Sequence, residues 1–439
     1  MATAAEIVTS RATNQPWPLL SRIGFRFCLI YFGLFCLLGQ IINAIFPIPK
    51  VDIPDLGTVW PIRRAVFWVG THVFGMQAPL VYSGSGSGDK HYDWVLVFCI
   101  LIVSVVATGF WSLVDRKPRS YDRAQRWFWL FLRFSLASQM LLYGLIKAFP
   151  LQMRFPPLVW LVEPFGNFSP MAVLWGSIGA SPAYETFAGC AELLGAILLM
   201  FPRTVTLGAL VSLADMSMVF ALNMTYDVPV KLLSLHLVLI ALLLLSPDYR
   251  RLVDFFILGR PTEAPRREPL FASLRARRIA SGVIVFLWLW MIGDNLNDIY
   301  EDWHKYGPGA PKSALYGIWD IASYSLDDKP QPLTVTDGRA WRRLIFENPQ
   351  SMSVQLMDTS RKEYGAAVDP GKGTLALTDK SDKNWKASFA FTHRAPDQLG
   401  LNGTIANHKA SLELHRFDEK KLELLTRGFH WVQDYPYTR

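Results

Sequence analysis

Several ionisable side chains stand inside long apolar runs of this sequence, where each one demands a partner or a cavity. Asp215 lies in VSLADMSMVF, Glu192 in GCAELLGAIL and His236 in KLLSLHLVLI. A charge at the centre of a hydrocarbon layer costs roughly 3 kcal/mol or more, so such residues mark proton or substrate sites, or else buried ion pairs. A carboxylate there can take up a proton and an imidazole can relay one. Asp215, Glu192 and His236 are therefore the candidate catalytic groups. Lys147, Lys231, Tyr226, Asp227 and Gln139 are the candidate substrate-binding groups, the two lysines facing any anionic part of a substrate. The same residues fit a purely structural network. In it Glu192 pairs with Lys147, Asp227 with Lys231 at helical i, i+4 spacing, and His236 is a core histidine.

Other polar motifs carry less chemistry. YSGSGSGDKHYD (82–93) lacks the GK[ST] ending of a phosphate-binding loop. It reads as a flexible turn, or as a backbone N–H nest for an anion beside Asp89, His91 and Asp93. DNLNDIYEDWH (294–304) lacks the glycine and terminal glutamate of a calcium loop. His393, His408, His415 and His430 have no metal-ligand spacing, and no metal site is expected. Cys28, Cys36, Cys99 and Cys190 all lie in apolar stretches and read as small buried hydrophobes.

The elements that must hold these groups are membrane spans. The composition, 51% apolar and 18% charged, is depleted in charge only before about residue 297. Crossing a bilayer takes about 20 helical residues, and seven stretches qualify: 27–46, 94–114, 127–149, 185–201, 205–224, 228–245 and 279–296. The net charge of +8 comes largely from two basic loops, 115–126 with five Lys/Arg and 247–278 with eight Arg. That pattern sets membrane orientation and excludes nucleic acid as a partner. Both loops belong inside, which puts residues 1–22 in the cytoplasm as a tail and everything after Leu296 outside. Measured from the outer helix ends at 1.5 Å per residue, Glu192, Asp215, His236 and Gln139 then lie about 10, 13, 12 and 15 Å deep. Four helices bring polar groups to matching depth, as the floor of an outward-facing pocket would.

The expected organisation is a helical membrane domain over 23–297 followed by an exoplasmic β-rich domain over 298–439. Segments 47–93 and 150–184 read as interfacial or re-entrant parts of the helical domain, the first with Trp60, Val66, Phe67, Val73 and Phe74 along one helix face. Beyond Lys305 seven alternating runs (343–348, 351–358, 362–368, 374–378, 386–392, 399–406, 410–417) are separated by short turns. They predict an antiparallel β-barrel or β-sandwich, most simply an up-and-down, lipocalin-like barrel. The aromatic ending RGFHWVQDYPYTR suits a barrel cap or a docking tail.

From about 127 to 248 the run RFSLASQMLLYGLIK, then ETFAGCAELLGAILLMFPRT, then VSLADMSMVFALNMTYDVPVKLLSLHLVLIALLLLSPD resembles the DoxX-like family of four-helix membrane proteins. The longer layout resembles the large bacterial form of that family. The resemblance implies residence in the bacterial inner membrane, with the β domain in the periplasm. It also implies quinone-linked redox chemistry, with quinone as the cofactor or substrate to test. Three classes stay open: a quinone-linked or lipid-substrate enzyme or subunit, an accessory or assembly subunit of a membrane complex whose β domain binds a partner or ligand, and a transporter.

Overall fold

The computed structural model describes residues 16–51, 53–77, 79–262, 270–271, 273–332 and 340–438. The chain divides into two compact units, Met1–Phe149 with Glu185–Ile299, and Pro150–Tyr184 with Tyr300–Arg439.

The first unit is a helical bundle. Among the described residues seven helices are long and apolar enough to cross a membrane: Leu19–Leu38, His91–Val114, Asp122–Ala148, Pro182–Met200, Val205–Thr225, Lys231–Phe256 and Leu274–Lys305. They make this a multi-pass membrane protein and are called the first to seventh spans below. The third is the central one, with 67% of its apolar window buried, against 11% for the seventh. Side chains such as Val106 and Phe110 on the second span, and Val283 and Phe286 on the seventh, are turned outward, as lipid-facing positions require.

The first span begins eight residues earlier than its hydropathy suggests because it absorbs two arginines. Arg26 is 1% exposed, yet its guanidinium is saturated. It donates to Asp115 (3.1 Å), the Tyr121 hydroxyl (2.6 Å) and Ser112 (3.0 Å), and lies 5.3 Å from the Trp111 ring centroid. A buried charge with every nitrogen hydrogen-bonded is tolerated where a lone one is not.

Small residues set how closely the helices approach. A Cβ on Gly189 would sit 2.3 Å from the Ala148 backbone nitrogen, and one on Gly144 would sit 2.9 Å from Leu193. The third and fourth spans therefore touch backbone to backbone, which sets Lys147 alongside Glu192. Arg133 caps the other end of the same pair of helices, donating to the carbonyls of Leu199 and Met200.

The connection after the first span contains the short helix Trp60–His72. Val66 and Phe67 pack on Tyr92 and Val95, whereas Trp60, Val73 and Phe74 remain exposed. The SGSGSGD loop ends in a cap: Asp89 accepts the backbone N–H groups of Lys231 (2.7 Å) and Leu232 (2.9 Å) at the start of the sixth span. That satisfies donors every helix N-terminus leaves open.

The second unit is a closed eight-stranded antiparallel β-barrel. Its strands are β1 Gly317–Leu326, β2 Lys329–Pro330, β3 Trp341–Phe346, β4 Ser351–Leu356, β5 Arg361–Asp369, β6 Thr374–Asp379, β7 Lys386–Ala395, β8 Gln398–Ile405 and β9 His408–Arg416. The meander runs β1-β3-β4-β5-β6-β7-β8-β9 and closes by pairing β1 with β9, from Trp319↔Arg416 to Leu326↔Ala410; the two-residue β2 adds only to β1. Residue alternation is plain in β6, where Leu375 and Leu377 are buried between exposed Thr374, Ala376 and Thr378. Leu344, Phe346, Val354, Phe389, Leu401 and Leu412 fill the interior, the expected state of a barrel this narrow.

Two expectations need correction. Seven strands were expected, and β1 is the eighth. Its outward Ile318 is as buried as its inward Trp319, so no two-residue alternation marks it. Segment 150–184 was expected with the helical domain, but it belongs to the barrel's unit. Leu158 covers Ile318 and Ile345 from outside, Gln355 donates to the Val162 carbonyl (3.3 Å), and Arg361 pairs with Glu163 (3.1 Å). The apolar and aromatic character that reads as interfacial is the underside of this strap. The tail differs too: Phe429, Trp431 and Tyr435 are 77%, 91% and 83% exposed and cap nothing.

Candidate functional site

The ion pair at the centre of the first unit joins the third and fourth spans. Lys147 donates to Glu192 Oε1, with side chains 8% and 3% exposed. Asp215, on the facing turn of the fifth span, lies within electrostatic reach of both. Tyr143, one helical turn from Lys147, also feels the Glu192 charge. Its hydroxyl accepts from Gln40 Nε2 (3.2 Å), which also donates to Gln139 Oε1 (3.0 Å). Gln40, Gln139, Tyr143, Glu192, Lys147 and Asp215 thus form one polar cluster drawn from three spans and the connection just after the first.

Two cavities meet this cluster, and Gln40, Ile53, Asp55 and Tyr143 line both. The first, about 540 Å³, has apolar walls from Phe35, Leu96, Ile100 and Leu232 and a polar side from Thr58, Tyr82, Lys90 and the Ser83–Ser87 loop. The second, about 660 Å³, is lined by Asn43, Lys50, Asp294, Asn295 and Asp298. Asn43 bridges the Ile53 carbonyl (3.0 Å) and Asp55 (3.1 Å), which holds the loop after the first span against both cavities.

The expected site residues separate into groups. Glu192, Lys147, Asp215 and Gln139 come together, although none of them lines either cavity; they stand behind the Gln40–Tyr143 wall. His236 is a core histidine. Its Nδ1 meets the Leu232 carbonyl (2.7 Å), so that nitrogen carries the proton and Nε2 accepts from the Tyr31 hydroxyl (2.8 Å). Phe35 stacks on the ring at 3.7 Å. Lys231 pairs with Asp227 (3.0 Å) and Asp89 (3.8 Å) at the mouth of the fifth and sixth spans, with Asp227 84% exposed. Tyr226 ends the fifth span there. Asp215 and Glu192 thus come together, His236 bonds to Leu232 and Tyr31 instead, and the wall of the two cavities is formed by Gln40 and Tyr143.

Tyr143 carried a legible signal, since 139, 143 and 147 form an i, i+4, i+8 polar stripe on one helix. Gln40 and Asp55 carried none, because they reach the site only through the packing of the bundle and the loop bonds of Asn43. Among the described residues no group of three or more His, Cys, Asp or Glu is arranged to hold a metal ion.

Bundle and barrel together define a multi-pass membrane protein carrying an antiparallel β-barrel unit. Within that class the chain is 30% identical over 133 residues to the uncharacterized protein YwoB of Bacillus subtilis (strain 168), a match that covers 28% of this chain and 79% of that protein. It belongs to the YwoB family. No protein-family model and no solved structure matches the chain.

Proposed function

We propose that this protein is a quinone-linked membrane oxidoreductase, or the membrane subunit of one, resembling DoxX. In this reading a quinone or similarly lipid-soluble substrate enters the first cavity. The observation that carries the proposal is Tyr143, which lines both cavities and lies within electrostatic reach of the buried Glu192. The Tyr143 hydroxyl, held by the Gln40 amide, offers its hydrogen to a carbonyl head, and the apolar wall suits an isoprenoid or acyl tail. Asp55, Lys90 and Asp93 leave the lining with one excess negative charge, which favours a neutral head over an anionic one. Reducing a quinone to a quinol takes two electrons and two protons. Glu192 and Asp215 serve the proton side, and a partner redox protein supplies the electrons.

The two basic loops support an inner-membrane topology with the N-terminus in the cytoplasm and the barrel in the periplasm. In a background without the native cysteines, a membrane-impermeant thiol reagent on intact cells should label Lys383→Cys and miss Arg119→Cys. Reversed labelling refutes the orientation.

For the site, quinone should be found by mass spectrometry in organic extracts of the purified protein. A short-chain ubiquinone analogue should bind with affinity reduced about tenfold in Tyr143→Phe, the effect of one lost hydrogen bond, and also weakened in Gln40→Ala, which releases the Tyr143 hydroxyl that Gln40 holds. No quinone above background, with affinities unchanged in both variants, would refute it. A second reading, an accessory subunit, is favoured by the filled barrel and the exposed Phe429, Trp431 and Tyr435, which suit an outer-surface partner more than an internal cargo. Purification as a stable multisubunit complex lacking quinone would support that reading.

A further inference from the structure

Four buried polar atoms near the central ion pair have no hydrogen-bond partner among the described residues: Asp215 Oδ2, Glu192 Oε2, Ser212 Oγ and Gln139 Nε2. They belong to three neighbouring helices. A Cβ on Gly195, one turn beyond Glu192, would lie 2.8 Å from Ser212 Oγ and 3.0 Å from Met140, the neighbour of Gln139. Ser212 is one turn from Asp215, so all four atoms fall within about two turns of one level. Asp215 stands midway along the 21-residue fifth span and Glu192 midway along the 19-residue fourth.

The charges do not balance. Glu192 and Asp215 bring two carboxylates, and Lys147 brings one ammonium, already bonded to Glu192 Oε1. An uncompensated negative charge at mid-span costs roughly 3 kcal/mol or more. The other ionisable groups of the surrounding helices leave that charge in place. Tyr143 is neutral, His236 is committed to Leu232 and Tyr31, and Arg133 is spent on the Leu199 and Met200 carbonyls. Glu185, buried on the fourth span, adds no positive charge.

We propose that the cluster is a binding site for one exchangeable monovalent cation, a proton carried on Asp215 Oδ2. A proton there turns an acceptor without a donor into a donor, and Ser212 Oγ and Glu192 Oε2 are the free acceptors at its level. Sodium would have to sit beside the Lys147 ammonium; a proton adds to Asp215 itself. The inference deepens the oxidoreductase reading and rests on it only for the proton's destination, with Tyr143 between the cluster and the cavities.

The test uses the full-length protein in detergent with no quinone present, so it can succeed where the quinone reading fails. Infrared spectroscopy at neutral pH should show a protonated-carboxyl C=O band that shifts in D₂O and is missing from Asp215→Asn. Asp215→Glu should move the band without removing it. In the wild type the unfolding temperature should fall as pH rises and the folded-state proton is lost, and it should not respond to exchanging NaCl for KCl. Asp215→Asn should flatten the pH dependence. Absence of the band from the wild type, its persistence in Asp215→Asn, or stabilisation by sodium over potassium at fixed pH would each overturn the proposal; the last makes the cation sodium.

Discussion

Lys147 and Glu192 pair across the third and fourth spans with both side chains nearly sealed from solvent. Because the partner of Lys147 is Glu192, the two carboxylates should respond differently to neutralisation. Glu192→Gln leaves a buried ammonium short of its bonded partner and should destabilise the protein by about 3–5 kcal/mol. Asp215→Asn should cost far less. Adding Lys147→Met to Glu192→Gln should recover most of the loss. Thermal unfolding of the four proteins in detergent checks this, and equal losses for Glu192→Gln and Asp215→Asn would refute the assignment.

Asp89 caps a helix that lies well over a hundred residues further along the chain. Asp89→Ala removes an acceptor from two backbone N–H groups and a charge beside Lys231. The expected cost is about 1–2 kcal/mol. Hydrogen exchange should speed up at Lys231 and Leu232 before it does so at mid-span; uniform exchange along the helix would count against the cap.

Leu158 is 5% exposed and covers Ile318 and Ile345, both almost fully buried. Leu158→Ala should destabilise the barrel unit by roughly 2–4 kcal/mol. Proteolysis within 150–184 should rise together with exchange on β1 and β3. A barrel indifferent to this change would mean that the strap contributes little to it.

Asp379 accepts from the Lys362 ammonium (2.7 Å) and from the hydroxyl and backbone N–H of Ser381 (2.6 and 2.8 Å). These bonds, Lys362 first, hold its carboxyl well below the usual carboxylate range. A depressed folded-state value adds stability that is complete above the unfolded value, near pH 4, and is lost as pH falls below it. Acid titration of the wild type should therefore loosen β5 and β6 below about pH 4. Asp379→Asn should start less stable and show a shallower acid loss in the same hydrogen-exchange measurement.

What the sequence determined is what local pattern can carry. Apolar runs near 20 residues give the spans, and period-two alternation with short turns gives seven of the eight barrel strands. The i, i+4 and charge-pairing rules also anticipated Asp227 with Lys231 and Glu192 with Lys147. Only the tertiary structure decided where charge is tolerated. Arg26 reads as a span boundary until Asp115, Tyr121 and Ser112 are seen to saturate it. The same is true of burial on both faces of an element. β1 hides its alternation because Leu158, some 160 residues earlier, covers its outer side. The cavity wall was decided last and least locally, since Gln40, Asp55 and Asp294 share cavities with Tyr143 only through helix packing and the loop bonds of Asn43. Hydropathy and propensity are sums over neighbours in the chain, whereas a site is a meeting of residues that are neighbours only in space.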